Sequence, residues 1–323
     1  MAKPFVIGHR GACAERPEHT LAAYALALDQ GADFVEPDIV PTKDGHLVAR
    51  HENEISGTTN IADHPEFADR RTTKTIEGNP VTGWFTEDFT LAELKTLRAR
   101  ERLPQLRPAN SAYADEGIAT LDEVIALAKA RGKGVVAEIK HSSYFASVGL
   151  PLEARLVDAF ARHGWSGAGD PVWIESFEVE NLKALRGNTG LKLVQLLESS
   201  GAPVDGGAES YAAMATPAGL KAIAAYADAI GPAKTLIVPR DGDGRSLPPT
   251  SLVADAHAAG LKVIAWTFRP ENFFLPAELR DGAHPRAHGR GADEIRQFAE
   301  LGVDGLFTDA PEAAVRALGG QKP

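Results

Sequence analysis

Short apolar runs alternate along the chain with longer segments in which apolar positions recur every three or four residues. The short runs are rich in Val, Ile and aromatic residues, and several are bounded by Gly, which favours buried strands over helices. The pattern predicts eight strands, at residues 5–9, 34–40, 134–140, 171–177, 192–197, 235–239, 262–268 and 305–308. Residues 229–231 are an alternative for the sixth strand.

The longer segments carry recognisable helix ends. Thr90 and Thr120 are each followed three residues later by Glu, and this capping-box spacing predicts that each Thr opens a helix. Gly132, Gly260 and Gly302 lie just past helical patterns, where a left-handed cap favours glycine. Strands and amphipathic helices therefore alternate along most of the chain.

This alternation predicts a single (β/α)8 TIM barrel over residues 1–323, with a doubly wound open sheet as the alternative. Two long segments interrupt it. Residues 53–118 form an insertion after the second strand, with one predicted helix at 91–100, and residues 270–291 form a connection rich in Pro, Gly and His. Long connections in compact domains are commonly functional, so we expect both to cover the barrel mouth. The Arg-rich stretch 98–107 is expected to be a solvated helix end.

The composition narrows the class of partner. Hydrophobic residues make up 44% of the chain and charged residues 24%, which is ordinary for a globular enzyme. The formal net charge of −10 disfavours nucleic acid as a partner, because a phosphate backbone requires a basic surface. An anionic small molecule stays compatible with this charge if a metal ion or a few local cations correct the field inside a pocket.

The cysteine content and the lengths of the apolar runs restrict the kinds of cross-link, metal site and membrane association that we expect. The single Cys13 excludes an intramolecular disulfide framework and a cysteine-based zinc site. No apolar run approaches the length of a membrane span, so we expect no stable membrane insertion. The first strand begins at residue 5 and leaves no room for a signal peptide, which predicts a cytoplasmic protein for the chain as given, or a periplasmic one if a leader was removed.

Acidic residues share one face of two predicted strands. Glu36 and Asp38 alternate with apolar residues in the second strand, and Glu138 and Lys140 do so in the third. If the apolar sets face the outer helices, these side chains converge at the barrel mouth. Three carboxylates there would repel one another unless a cation joins them, and oxygen ligands suit Ca²⁺ or Mg²⁺ rather than zinc. Ion pairs of the acids with Arg10 and Lys140 are the alternative.

Two histidines lie within the same βαβ unit as these acids. His9 ends the first strand, and His51 follows a turn after the second. A histidine pair beside a metal is suited to general acid–base chemistry near neutral pH. Ligation of the metal by histidine is the rival interpretation.

Short motifs follow one another in order along nearly the whole chain. They are His9-Arg10-Gly11, Pro17-Glu18-His19-Thr20-Leu21, Glu36-Pro37-Asp38, Thr42-Lys43-Asp44-Gly45, His51-Glu52, Glu138-Ile139-Lys140, Ser176-Phe177 and Gly305-Leu306-Phe307-Thr308-Asp309. Taken together, they closely resemble the motifs of the glycerophosphodiester phosphodiesterase family. The length of the insertion resembles the bacterial periplasmic, calcium-dependent branch of that family.

The resemblance implies a (β/α)8 barrel that hydrolyses glycerophosphodiesters to glycerol 3-phosphate and an alcohol, with a small-molecule glycerophosphodiester as the partner. It implies that Glu36, Asp38 and Glu138 are metal ligands, with Ca²⁺ preferred over Mg²⁺ because of the branch that the chain resembles. It also implies that His9 and His51 are the acid–base pair.

Further roles follow from the same resemblance. Arg10 and Lys140 are expected to hold phosphate oxygens. Trp266, near the end of the seventh strand, is expected to line the glycerol pocket, with an outward core position as the alternative. Two positions depart from the family pattern, because His19 stands where Asn is usual and Glu52 where Asp is usual.

Two other functions remain open at this stage. A lysophospholipase D-like or sphingomyelinase D-like activity on the same barrel would need an exposed apolar groove, to which Phe273, Phe274 and Leu275 could contribute. A non-catalytic binding protein could retain the barrel without the chemistry. The presence of both histidines and all three acids argues against that second alternative.

Overall fold

A computed structural model describes residues 3–319 of the chain. The strands within these residues are β1 (Phe5–His9), β2 (Phe34–Glu36), β3 (Asp38–Pro41), β4 (Leu47–Ala49), β5 (Thr72–Ile76), β6 (Asn79–Gly83), β7 (Gly134–Ile139), β8 (Val172–Ser176), β9 (Lys192–Leu197), β10 (Ala229–Pro232), β11 (Lys262–Phe268) and β12 (Gly305–Thr308). Strands β5 and β6 form a separate antiparallel hairpin inside the insertion.

Eight parallel strands close into a barrel. Pairing runs from β2 through β1, β12, β11, β10, β9 and β8 to β7, and β7 pairs back with β2. The register places His9 beside Glu36 on β1 and β2. Because the sheet has no free edge in this direction, the predicted (β/α)8 barrel is confirmed and the open sheet is excluded.

The helices lie between the strands in the expected alternation. Their bounds are α1 (Leu21–Asp29), α2 (Leu91–Leu94), α3 (Leu121–Ala130), α4 (Ser142–Ser147), α5 (Glu153–Arg162), α6 (Glu180–Arg186), α7 (Tyr211–Met214), α8 (Pro217–Ile223), α9 (Lys234–Ile237), α10 (Leu252–Ala258), α11 (Gly291–Glu300) and α12 (Pro311–Ala317). Thr90 and Thr120 form the predicted capping boxes with Glu93 and Glu123. Five short 3-10 turns complete the described elements, at Ile61–Asp63, Pro65–Arg70, Thr86–Asp88, Pro108–Tyr113 and Ala277–Leu279.

Two strand predictions require correction. The second strand is interrupted at Pro37, which has no N–H to donate to a neighbour, and both of its halves pair in parallel with β7. The sixth strand is not 235–239, because Lys234–Ile237 is helical, and the alternative near residue 230 is the strand. A short apolar run fits a buried strand or a buried helix turn equally well, so periodicity alone does not separate them.

The helix predicted at 91–100 is too long. Helix α2 ends at Leu94, and the residues after it bind elsewhere: the Arg98 N–H donates to Asn60 Oδ1, and Ala99 forms a β-bridge with Thr59. These tertiary partners replace the next helical hydrogen bonds. Propensity and capping therefore start this helix, and contacts with the rest of the insertion end it.

Apolar side chains fill the barrel interior at the amino-terminal end of the strands. Ile7, Val136 and Trp173 pack there with Phe307 and other buried residues. Phe5 stacks on Trp173 with ring centroids 6.3 Å apart. Because side chains two positions apart on a strand share a face, the residues that follow this apolar layer present polar groups at the opposite, carboxyl end.

No helix within residues 3–319 is long and apolar enough to cross a membrane.

Candidate active site

The carboxyl ends of the barrel strands surround a cavity of about 440 Å³. Most of the predicted site residues lie on its wall, namely His9, Arg10, Glu36, His51, Glu138, Lys140 and Trp266. Asp38 is buried and pairs with Arg10, Nε to Oδ2, at 3.3 Å. The other walls carry Phe177 and Tyr211 together with acids. Active sites of (β/α)8 enzymes lie at this end of the barrel.

Three buried carboxylates converge at the cavity. Glu36, Asp38 and Glu138 each offer an oxygen, and these oxygens all lie within 4.8 Å of one another. Asp38 and Glu138 are direct register partners on β3 and β7, and Glu36 lies across Pro37 from Asp38. The strand break at Pro37 thus leaves both acids of the second strand close to the acid of the third.

The protonation of these acids depends strongly on their surroundings. Burial and the charge of Asp38 raise the pKa of Glu36 well above its usual range, and burial raises the pKa of Glu138 to about 8. Although burial alone would raise the pKa of Asp38, Lys140 and His51 hold it well below its usual range. A group of three buried carboxylates whose oxygens converge fits a hard divalent cation, because such ions take oxygen ligands.

Two cationic side chains lie beside the carboxylates. Lys140 Nζ is 2.8 Å from Glu138 Oε1 and 3.9 Å from Asp38 Oδ1. Arg10 contacts Asp38 and also donates from Nη1 to Glu18 Oε2 at 3.1 Å. The ion pairs that formed the alternative to a metal are therefore present. They leave Glu36 without a cationic side-chain partner within hydrogen-bond distance among the described residues.

His9 is oriented by a carboxylate. Its Nδ1 lies 2.7 Å from Asp309 Oδ1, and since a carboxylate only accepts, Nδ1 carries the hydrogen. Burial and the nearby Arg10 lower the pKa of His9 to about 4, despite Asp309. The imidazole is therefore neutral at pH 7, with Nε2 as its basic nitrogen. Sequence reasoning included Asp309 in a motif without giving it a role.

His51 is held in the same way by the residue that departs from the family pattern. Its Nδ1 lies 2.6 Å from Glu52 Oε1, and its Nε2 lies 3.2 Å from Lys140 Nζ. Burial, Arg10 and Lys140 lower the pKa of His51 to about 3. Glu52 thus makes a direct hydrogen bond to the ring from its position next to the histidine.

The second departure, His19, also acts on the site through a neighbour. Its side chain is buried, with Nε2 2.8 Å from Asp38 Oδ2 and Nδ1 2.7 Å from Tyr24 Oη. These two contacts fix the ring between the carboxylate and the phenol. His19 therefore orients Asp38 rather than lining the cavity.

Two arginines of the insertion bind the carboxylates that hold the histidines. Arg102 donates to Glu52 from Nη1 and Nη2 at 2.9 and 2.6 Å, and to Glu18 at 2.7 Å. Arg107 donates from Nη2 to Asp309 Oδ2 at 2.6 Å and is buried. The expectation that residues 98–107 form a solvated helix end is therefore wrong. Their role depends on partners far away in sequence, for which the local charge pattern carries no signal.

Trp266 lies on the cavity wall rather than in the outer core. Its Nε1 donates to the Gly231 carbonyl oxygen at 2.7 Å, which fixes the indole at the barrel mouth. Its ring meets Phe177 nearly perpendicularly, with the ring centroids 5.8 Å apart. The two rings give the cavity an apolar wall, and the centroid of the Phe177 ring lies 5.8 Å from Lys140 Nζ.

Comparison with known proteins places the chain in one family. The model of the glycerophosphoryl diester phosphodiesterase family matches residues 9–313. A glycerophosphodiester phosphodiesterase of Arabidopsis thaliana is 35% identical over 323 aligned residues, covering 95% of this chain and 84% of the relative. A glycerophosphodiester phosphodiesterase of Haemophilus influenzae is 26% identical and covers 98% of this chain and 90% of its own length.

Solved structures share the fold. A phosphodiesterase of Oleispira antarctica, determined in complex with the product sn-glycerol-3-phosphate, superposes with a TM-score of 0.66 at 22% identity and covers 98% of both chains. A glycerophosphodiester phosphodiesterase of Agrobacterium tumefaciens superposes with a TM-score of 0.62 at 19% identity, covering 96% of this chain and 99% of its own. From the family match along most of its length, the chain belongs to the glycerophosphoryl diester phosphodiesterase family and is an enzyme that hydrolyses glycerophosphodiesters.

Proposed function

We propose that this enzyme releases glycerol 3-phosphate and an alcohol from glycerophosphodiesters, using a divalent metal ion and two histidines as general acid and base. The observation that carries the proposal is one cavity in which three converging carboxylates stand beside His9 and His51. The product bound by the Oleispira antarctica relative, sn-glycerol-3-phosphate, supports the same product here.

Glu36, Asp38 and Glu138 are the residues that would hold the metal ion. Their all-oxygen donor set suits Ca²⁺ or Mg²⁺, and we prefer Ca²⁺ because the length of the insertion resembles the calcium-dependent branch. A divalent ion bound there supplies positive charge to a phosphodiester and to the charge that develops on it during displacement.

The two histidines have the orientation for proton transfer, and both are neutral near pH 7, which suits the role of a base. Each has its Nδ1 held by a carboxylate, so each presents Nε2 as the titrating atom. One neutral imidazole accepts the proton of the attacking hydroxyl at Nε2, and the other first takes up a proton from solvent at Nε2 and then gives it to the leaving alkoxide. Positioned groups of this kind contribute about 10²- to 10⁴-fold each to the rate.

The remaining predicted residues bind and shape the substrate. Arg10 and Lys140 would hold non-bridging phosphate oxygens, since both are cationic and Lys140 reaches the cavity beside Glu138 and His51. Trp266 would cover the glycerol carbons with its apolar face.

We also infer that residues 53–118 work as part of the same single barrel domain and cover its mouth. Glu77, at the turn of the β5–β6 hairpin, lines the cavity and accepts a hydrogen bond from His141 at 2.6 Å. Arg102 binds beside His51 from the same insertion. An insertion anchored at both places restricts the space above the catalytic groups.

A lipid substrate is not favoured by the apolar residues named for it. Phe273 is 63% exposed, but Leu275 is fully buried, and neither they nor Phe274 line the cavity. A small-molecule glycerophosphodiester therefore remains the proposed partner.

The test is release of glycerol 3-phosphate from glycerophosphocholine by EDTA-treated enzyme before and after Ca²⁺ or Mg²⁺ is restored. We expect activity only with metal, and a loss of about 10²-fold or more in His9→Ala and in His51→Ala. His257→Ala is the matched control, because His257 forms a similar pair with Asp304 on the exposed surface. Full activity in EDTA would show that the reaction does not need a metal ion. Full activity in His9→Ala or in His51→Ala would show that the replaced histidine is not part of the acid–base pair.

A further inference from the structure

Glu175 is a buried acid that none of the roles above uses. It lies in β8, is 2% exposed, and lines the cavity. Its Oε2 atom is buried and has no hydrogen-bond partner within the part of the chain that the structure describes. A buried carboxylate oxygen without a partner is costly, so a structure that retains one implies a partner of another kind.

The strand register places this carboxylate next to the metal-binding acids. Glu175 is the direct partner of Glu138 on β7 and β8, and Glu138 is the direct partner of Asp38 on β7 and β3. Register partners in a parallel sheet face the same side. Trp173, two positions earlier on β8, packs in the barrel interior, so Glu175 also faces inward.

The cations of the site are already engaged elsewhere. Lys140 bonds to Glu138 and lies near Asp38, and Arg10 pairs with Glu18 and Asp38. Neither pairs with Glu175. Among the described residues, Glu175 therefore has no cationic side chain within ion-pair distance.

We propose that Glu175 is a fourth carboxylate ligand of the divalent ion held by Glu36, Asp38 and Glu138, an inference that rests on the metal site of the proposed function. Glu175 lies outside the group of three acids whose oxygens are all within 4.8 Å of one another, so its side chain has to move toward the ion for its unpartnered oxygen to be the donor. Ca²⁺ takes six to eight oxygens, whereas Mg²⁺ takes six and keeps several waters. A fourth carboxylate consequently favours Ca²⁺ over Mg²⁺.

The first test measures metal binding without turnover. Calorimetric titration of the metal-stripped chain with Ca²⁺ and with Mg²⁺ is compared between wild type and Glu175→Gln, which keeps the shape and removes the charge. We expect the Ca²⁺ dissociation constant to rise about 10-fold or more and the Mg²⁺ constant to rise less. The melting temperature of the stripped variant should be unchanged or higher, because a repulsive charge is gone.

Glu198→Gln is the matched control. Glu198 lines the same cavity, but its Oε1 accepts hydrogen bonds from the backbone and side chain of Ser199. The control makes the same charge change within the same cavity. Its Ca²⁺ dissociation constant should stay within about twofold of wild type, since the Glu198 carboxylate already has hydrogen-bond partners in Ser199.

A second readout counts ligands directly. Luminescence lifetimes of bound Tb³⁺, an oxygen-seeking stand-in for Ca²⁺, are compared in H₂O and D₂O to count the waters on the ion. We expect Glu175→Gln to gain at least one water relative to wild type. Glu175→Asp keeps a carboxylate and should recover part of the affinity, and it also serves if the Gln variant does not fold.

The outcomes separate this inference from the proposed function. Unchanged Ca²⁺ affinity and water count in Glu175→Gln overturn the ligand assignment, whatever the activity of the wild type. A wild-type chain that binds neither ion overturns both the assignment and the metal in the proposed function. A chain that needs Glu175 for Ca²⁺ binding but releases no glycerol 3-phosphate supports the assignment and overturns the proposed reaction.

Discussion

At the scale of single residues, the two histidines matter through the atoms that hold them. Asp309 and Glu52 each accept from an imidazole Nδ1, which selects the tautomer with a free or lysine-bonded Nε2. Although burial alone would raise the pKa of Asp309, Arg269 and Arg107 hold it well below its usual range. The carboxylate therefore remains an acceptor throughout the pH range in which His9 titrates.

Replacing Asp309 by Asn should damage catalysis more than substrate binding. An amide can donate to Nδ1, which would move the hydrogen of His9 to Nε2 and remove its basic nitrogen. We expect kcat to fall about 10²-fold with little change in KM, measured with glycerophosphocholine. Asp304→Asn, in the surface pair with His257, is the control. A kcat within about threefold of wild type would show that the tautomer of His9 does not depend on Asp309.

Glu178 makes stability depend on pH in a direction that can be measured. Burial, followed by the charges of Asp205 and Glu77, raises its pKa from an ordinary 4.5 to about 7, against hydrogen bonds from Ser143. The folded chain then binds a proton that the unfolded chain has lost. The contribution of this proton to the free energy of unfolding is complete below about pH 4.5 and is lost as the pH rises through 7.

Wild type should therefore lose stability relative to Glu178→Gln as the pH rises from 5 to 8. The expected change in the difference of unfolding free energy is up to about 3 kcal/mol, because one pKa unit corresponds to roughly 1.4 kcal/mol. Urea unfolding in EDTA at both pH values measures it. If the difference in unfolding free energy between wild type and Glu178→Gln is the same at pH 5 and pH 8, the Glu178 carboxyl group has an ordinary pKa.

At the scale of elements, the insertion contributes to the barrel site from outside the barrel strands. Arg102 joins Glu18, which binds Arg10, to Glu52, which binds His51. Arg107 does the same for the other histidine through Asp309. Both histidines proposed as acid and base are thus positioned by residues that a minimal (β/α)8 barrel lacks.

Arg102→Gln should act as the loss of a positioning residue. Without the guanidinium, the charge of Glu52 is less compensated and raises the pKa of His51, so the acidic limb of the pH profile of kcat/KM should move to higher pH. We expect kcat/KM at neutral pH to fall about 10-fold. Arg100→Gln is the control, because Arg100 pairs with Asp63 in the same insertion at 3.7 Å. A lower kcat/KM with an unshifted pH profile would indicate a purely structural role.

At the scale of the whole molecule, the residues that stabilise the barrel interior and the residues of the candidate site lie at opposite ends of the barrel axis. Aromatic and aliphatic residues fill the amino-terminal end, and the titratable groups gather at the carboxyl end. Gly134 begins β7 at the apolar end, where an added Cβ would lie 2.4 Å from both the Phe34 ring and the Pro171 carbonyl oxygen. A backbone atom that close cannot give way without moving the strand.

Gly134→Ala should lower stability without changing the reaction. Overpacking of a core position costs about 1–3 kcal/mol, which denaturant unfolding measures. The KM and kcat of the folded variant should match wild type, because Glu138 and Lys140 lie at the other end of the strand. Gly117→Ala, where a Cβ would meet open space, is the control. A marked loss of kcat in Gly134→Ala at full folding would show that the two ends are coupled.

Local patterns along the sequence determined most of the architecture of this protein. The alternation of apolar and polar residues predicted one shared face for Glu36 and Asp38 and one for Glu138 and Lys140, and the three acids do converge. Such patterns succeed because side-chain direction in a strand has a period of two, whatever the strand packs against. Capping boxes succeed for the same reason, since their hydrogen bonds span three residues.

The tertiary structure decided what depends on distant partners. The pairing of β10 with β9 and β11 distinguishes the sixth strand from the helix after it, and the contact between Arg107 and Asp309, 202 residues apart, reveals the role of that arginine. Glu175 likewise becomes distinctive through its register beside Glu138 and its missing partner. These properties arise from contacts between segments that no local window contains, so the closed barrel decides them.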